Sequence, residues 1–314
     1  MKLSLPKKLS WPKLEPGGLK LKAAYAAFFL VSFLLALHFT FPIEAVEERL
    51  ILEAAARGWQ LRMNDLAPAG LVGVRAREVT LQTRDGTRIP VEEVEASIRP
   101  WAMLTGRRSV AFRAALFDGK VSGLSEQGRT AQRLELQASG IDLAKVGALR
   151  QATGLNLAGT LSADVDVTVD AADPSKNGGK IELSVKNSAI QGGQIPVPGM
   201  GGGLTVPKMA LGTLTARGMV RGARADFDRL EIRGDDVEVS AEQLYAQLQN
   251  HLELSPLAGR ARLRVGDGFW GRSGTASLKP VVEMALASAK NRDGTFGFQI
   301  YGTLGKPQLR PMAQ

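Results

Sequence analysis

From about Gly70 onward, apolar and polar residues alternate with a period of two, the mark of strands with one dry and one wet face. Val79 and Leu81 alternate with Thr80 and Gln82, and Val94, Ala96 and Ile98 with Glu95 and Ser97. Val110, Phe112, Ala114 and Leu116 form the next apolar face, then Leu134, Leu136 and Ala138. The clearest run is LNLAGTLSADVDVTVD, from Leu155 to Asp170. Leu155, Leu157, Leu161, Ala163, Val165, Val167 and Val169 fall on one side, and Asn156, Thr160, Ser162, Asp164, Asp166, Thr168 and Asp170 on the other. Ile181, Leu183 and Val185 continue the pattern. Short strands follow around Ala225 and Phe227, Leu230 and Ile232, and Val237 and Val239. Ala261, Leu263 and Val265 alternate with Arg260, Arg262 and Arg264, and Phe296, Phe298 and Ile300 close the series. Asp-Gly and Asn-Gly pairs at 85–86, 118–119, 177–178, 267–268 and 293–294 supply turns, and roughly a dozen strands follow.

Helical spacing is scarce. Glu44 to Arg57 has it, with Val46, Leu50 and Ala54 on one face and Gly58 placed to end the helix. Ile141 to Thr153, Ala241 to Leu248 and Thr275 to Lys290 are further candidates. Gln191 to Pro207 is uncharged and rich in Gly and Pro, and reads as a long loop or flap. A dozen apolar strand faces with few helices to cover them leave two arrangements. The sheet closes as a sandwich or barrel, or it keeps an apolar groove open, lined by Leu155, Leu161, Val165, Val167, Val169, Ile181, Leu183 and Val185.

One stretch before the sheet has a different character. Ala23 to Phe41 has no Asp, Glu, Lys or Arg in nineteen residues. As a helix it would be about 28 Å long, close to the hydrocarbon thickness of a bilayer. Ala23, Phe28, Phe29, Leu30, Leu34, Leu35, Phe39 and Phe41 would face lipid. Six lysines against the single Glu15 give residues 1–22 a net charge of +5, whereas Glu44, Glu47 and Glu48 follow the stretch. The positive-inside rule then leaves the tail in the cytoplasm and carries the rest across the membrane. The run is long for a signal-peptide core and no A-x-A site follows it, so an uncleaved anchor is expected. Three regions result: a basic tail (1–22), a transmembrane anchor (23–42) and a β-rich domain (43–314).

The formal charge of +9 therefore overstates how basic the domain is; outside the tail only +4 remains, and no nucleic-acid footprint appears. The absence of cysteine excludes disulfides, thiolate metal sites and Cys nucleophiles. Asp164, Asp166 and Asp170 share a strand face, but no loop closes around them as an oxygen cage would. His251 is the one histidine beyond the apolar stretch, too little for a triad or a zinc site. The glycines around 199–203 precede no Gly-Lys-Ser/Thr. Arg260, Arg262 and Arg264 alternate outward and read as a solvated outer face, with contact to anionic headgroups or an acidic partner as the alternative.

The order of segments resembles a known family. A basic tail, one anchor, Phe41-Pro42 and a helix ending at Gly58 come first. GVRAREVTLQT, IRPWAMLTGRRSVAF, LFDGKVSG, LNLAGTLSADVDVTVD, GGKIELSVKNSAI and LTVPKMALGTLTARGMV follow. Together they resemble type II secretion system protein N of the deltaproteobacterial type (GspN), a bitopic inner-membrane component. The closing FGFQIYGTLGKPQLRP is similar to the last segment of AsmA-like proteins, whose β-groove is associated with lipid handling. The resemblance implies an all-β fold: one N-terminal transmembrane helix, then an elongated, curved, mainly antiparallel sheet with a few short helices. It implies a non-enzymatic accessory subunit with its domain in the periplasm and no cofactor. Its partners would be the membrane and other secretion components, docked through a sheet edge. Phospholipid binding is the alternative.

Overall fold

The computed structural model describes residues 43–56, 58–70, 72–83, 86–195, 204–249 and 254–312, together with 23, 25, 27–29 and 32. All fifteen strands belong to one sheet. They are β1 Gln60–Ala69, β2 Gly73–Gln82, β3 Arg88–Ile98, β4 Arg108–Leu116 and β5 Gly119–Gln127. Next come β6 Ala131–Asp142, β7 Leu155–Asp170, β8 Gly178–Ile195, β9 Leu204–Val206 and β10 Met209–Arg221. The last five are β11 Arg224–Arg233, β12 Val237–Gln247, β13 Leu257–Val265, β14 Phe296–Thr303 and β15 Lys306–Pro311. Every pairing is antiparallel. Each strand lies beside its sequence neighbour, except that β8 pairs both with the short β9 and with β10. The helices are α1 Ile43–Ala56, α2 Pro100–Leu104, α3 Gly147–Thr153, α4 Asp267–Trp270 and α5 Lys279–Ala285.

Up-and-down order sends alternate connections to opposite ends. The near end carries α1, the β2–β3 turn, α3, the β11–β12 turn and the helical insert between β13 and β14. The far end carries α2, the β5–β6 turn and the β12–β13 connection. In a flat sheet β3 and β6 would stand three strand spacings, about 14 Å, apart. Yet α3, which follows β6, contacts β3, and the Thr87 hydroxyl donates to Gln151 Oε1 of α3 at 2.7 Å. The sheet curls at the near end, and α3 bridges it.

β7 matches the expected Leu155–Asp170 run from end to end. Its alternation survives because its neighbours take the irregularities. β6 carries an extra residue between Ala138 and Ile141, at the left-handed Gly140, and β8 carries extra residues opposite Ala158–Thr160 and Leu155–Leu157.

Other segments depart from expectation. Ala241 to Leu248 is not helical; through Gln247 it lies in β12. Gln243 adopts φ +54° and forms a bulge between Glu242 and Tyr245. The extra residue brings Ala241 and Leu244, three apart, to the same face and so imitates helical spacing. The same effect joins the two short strands expected at 225–232 into β11: Arg217 pairs with Arg229 but Gly218 with Phe227, which leaves Asp228 as the extra residue. Gln191 to Ile195 continues β8 and pairs with β9, so the expected loop holds strand on both sides of 196–203, which lie outside the described residues. Of Ile141 to Thr153, the first two residues finish β6, Leu143–Lys145 is a 3-10 turn and only Gly147–Thr153 is α-helix. Thr275 to Lys290 is helical in pieces, with α5 flanked by 3-10 turns.

α1 ends at Gly58, whose φ of +82° and N–H to the Ala55 carbonyl close the last turn. It contacts β1, yet none of its side chains is buried. Among the described residues no helix is long and apolar enough to cross a membrane. Ala23, Phe28 and Phe29 are helical, with both Phe rings exposed, while Leu30, Leu34, Leu35, Phe39 and Phe41 lie outside the described residues.

Candidate functional site

Cross-strand register turns separate apolar runs into one surface. Ala76 pairs with Val94, Val94 with Ala114, Ala114 with Val121, Val121 with Ala138 and Ala138 with Ala163. From there the row passes through Leu183, Ala216, Leu230, Ala241 and Ala261 to Phe298. A parallel row joins Ile141, Leu161, Val185, Leu214, Ile232, Val239, Leu263 and Phe296. A third joins Ala96, Phe112, Gly123, Leu136, Val165, Ile181, Gly218 and Phe227. Glycine has a role in that third row. A Cβ on Gly123 would stand 2.4 Å from the Phe112 ring, and one on Gly218 would stand 2.9 Å from Phe227. Each ring lies over the bare backbone beside it, which keeps bulk on the face without a clash.

All eight expected groove residues share this face. Their environments differ along the strands. Val185 is buried, Leu155, Leu161, Val165, Val167, Ile181 and Leu183 are half-buried, and Val169 is exposed. A closed sandwich would bury them all. Here the apolar face is well covered in places only. β2 and β3 form a small core of Ala76, Val79 and Val91 beside Leu61, Met63 and Leu66 of β1. On the other side Val220, Ala225, Leu244 and Ala246 are buried.

The insert between β13 and β14 closes the near end over β11–β14. Phe269 of α4 is buried, as are Val237 and Phe296. Asp236, 1 % exposed, anchors this insert: its carboxylate accepts from Arg272 Nη1 and Nη2 at 3.0 and 2.5 Å and from the Ala210 N–H at 2.7 Å. The sequence shows Asp236 only as part of a charged turn; its partner lies 36 residues on.

The opposite face is a ladder of charges. Arg133 makes two 3.0 Å bonds to Asp166 across β6–β7, and that guanidinium hydrogen bond holds the carboxyl below the usual range. Asp164 accepts from Gln137 and lies 3.7 Å from Lys180. Arg260, Arg262 and Arg264 stand opposite Glu242, Ser240 and Glu238. One concavity on this face, about 660 Å³, is an open trough over short side chains such as Ala115, Ser122 and Ser139. Its rim mixes Glu93, Glu95, Arg113, Lys120 and Asp164, a lining suited to water rather than to an apolar ligand.

Asp170 has a separate task at the end of β7. Its carboxylate accepts from the Ala172 and Asp173 N–H groups and from Thr130. Led by the Ala172 bond, these hold its pKa below the ordinary carboxylate value. The stabilisation is present above the unfolded pKa of about 3.9 and is lost as pH falls through the lower folded value. Asp170→Asn should therefore lower the urea midpoint near neutral pH, and the two proteins should converge in acid. A gap that stays constant throughout would refute the electrostatic assignment. The three aspartates are thus held by separate partners, and among the described residues no cluster fit for a metal ion appears. His251 lies outside the described residues.

No family model, curated protein or solved structure matches the chain. The functional reading therefore rests on the face itself and on the sheet's two edges. Met312 donates to the Gly297 carbonyl, so by alternation the N–H positions of 307, 309 and 311 point away from β14. Pro307 and Pro311 have no N–H to offer, which leaves β15 a poor template for an added strand. β1 is also guarded. It contains Pro68, its register shifts twice, and Asp65 adopts φ +49°.

Proposed function

We propose that this protein holds an acyl chain of a lipid on the apolar face of its sheet, as a non-enzymatic envelope component tethered by residues 23–41. The observation that carries this reading is the continuous apolar surface, traced strand by strand, that stays half-exposed around Val165. An exposed apolar patch of such extent is unusual in a protein without a ligand or partner for it. On the resemblance to protein N, the activity would stand beside a type II secretion machine, with the domain in the periplasm. Contact with other secretion components through a sheet edge is the weaker reading, because prolines and irregular register guard both edges.

The test is native mass spectrometry of the full chain released from detergent, with extraction of bound lipid. About one phospholipid per chain, resistant to detergent exchange, is the expected result. A lipid-free mass under conditions that retain lipid on a control groove protein would refute it.

A further inference from the structure

The apolar face is covered unequally at its two ends. At the near end Ile141, Val185, Val237 and Phe296 are buried, and the insert is latched there through Asp236. At the far end of β3–β7 the same face is bare. Ile98 and Val110 are paired residues, 48 % and 39 % exposed; Leu134 is 38 % and Val169 43 % exposed. Trp101 of α2, at the lip, is 80 % exposed.

The next row outward is polar. By strand alternation Arg108 lies on the apolar side, two residues before Val110, and pairs with Gln127; Gln127 pairs with Gln132, and Gln132 with Val169. Arg129 sits in the adjoining β5–β6 turn, whereas Arg99, next to Ile98 and bonded through its N–H to the Ser109 carbonyl, falls on the charged side. Arg108 and Arg129 are exposed, and among the described residues neither forms an ion pair with a carboxylate. The nearby acids are engaged elsewhere. Glu126 pairs in register with Arg133 and accepts from Ser109, Asp170 holds its turn, and Asp173 binds Ser175 and Lys176. Two cations without counter-ions at the open end of an apolar face form a site with two chemistries, one for a tail and one for an anionic head.

We infer that the far end of β3–β7 is the mouth of the groove and selects anionic phospholipids, with the acyl chain along Val110, Leu134 and Val165 and the headgroup at Arg108 and Arg129. This rests on the lipid-holding reading above and adds both an entry point and a headgroup class. Entry from the far end also means that a lipid is loaded or passed on away from the latched insert.

The experiment uses the full chain in a non-ionic detergent, with pyrene-labelled phosphatidylglycerol and phosphatidylcholine of identical acyl chains as probes. Phosphatidylglycerol should bind about tenfold more tightly, the scale of one charge-assisted hydrogen bond. Arg108→Gln with Arg129→Gln should bring it to the phosphatidylcholine level and leave phosphatidylcholine unchanged. Inorganic phosphate should not displace either probe, since the tail is part of the site. Equal binding of both lipids, unaffected by the arginine changes, would overturn the headgroup assignment and leave the lipid-holding reading intact. Loss of both lipids in the arginine variant, with an unchanged melting curve, would also overturn it. Binding of neither lipid to wild type would overturn both readings. Displacement by phosphate alone would reduce the mouth to a simple anion site.

Discussion

Val220→Asp is expected to unfold the domain, whereas Val165→Asp should leave it folded but empty of lipid. The two valines lie on the same apolar face, but Val220 is 2 % exposed and Val165 is half-buried. A carboxylate forced into the Val220 site has no partner. Burial can move such a group by three to five pKa units, equivalent to roughly 4–7 kcal/mol, a large part of the net stability of a domain. At Val165, between Leu136 and Ile181, a carboxylate can turn to the water that replaces a departed lipid. Circular dichroism melts separate the two results, and lipid extraction reports the second. A Val165→Asp protein that unfolds like Val220→Asp would mean a closed core at this position and would remove the groove. Asp166→Val is the control for the face assignment. It removes an exposed pair with Arg133 and should cost no more than about 1 kcal/mol.

Arg272→Ala should destabilise the protein more than the double change Asp236→Ala, Arg272→Ala. Removing the arginine alone strands the buried Asp236 carboxylate with the Ala210 N–H as its remaining partner. Breaking a buried pair in this way costs about 3–5 kcal/mol, much of it the penalty of the uncompensated charge. Removing both side chains removes that charge as well. The half-exposed Arg272 can be satisfied by water, so Asp236→Ala should be the milder single change. Urea denaturation of all three variants forms the cycle. Simple additivity would show that Asp236 and Arg272 do not act as a unit, and that the insert is held by Phe269 alone.

The two-residue period was a reliable guide wherever the strand itself carried no bulge. β7 is the clearest instance, because its irregularities fall on β6 and β8. It failed at Gln243 and Asp228 for one physical reason. A bulge shifts the side-chain phase by one residue, and at Ala241–Leu248 that shift reproduces the spacing of a helix. The eight groove residues were legible on one face, since alternation alone assigns them. Their unequal burial was not legible, because it depends on which connections close over each end. The Asp236–Arg272 latch was invisible for a related reason: a turn aspartate and an arginine 36 residues later carry no local signal. The prolines of β15 were visible, but their meaning depends on which N–H groups point outward, and only the pairing of Met312 with Gly297 supplies that.

The neighbour-by-neighbour order of the strands also bears on how the molecule is made. Each strand from β2 to β8 needs only the strand synthesised just before it, so pairing can advance by short hairpin closures as the chain emerges. Stability in such an array is close to a sum of terms between adjacent strands, as in repeat proteins. Loss of the C-terminal strands would then shorten the sheet and leave β2–β8 assembled. Unfolding should proceed in stages, with amide exchange fastest toward β15 and slowest where Val79, Val91 and Ala76 pack against β1.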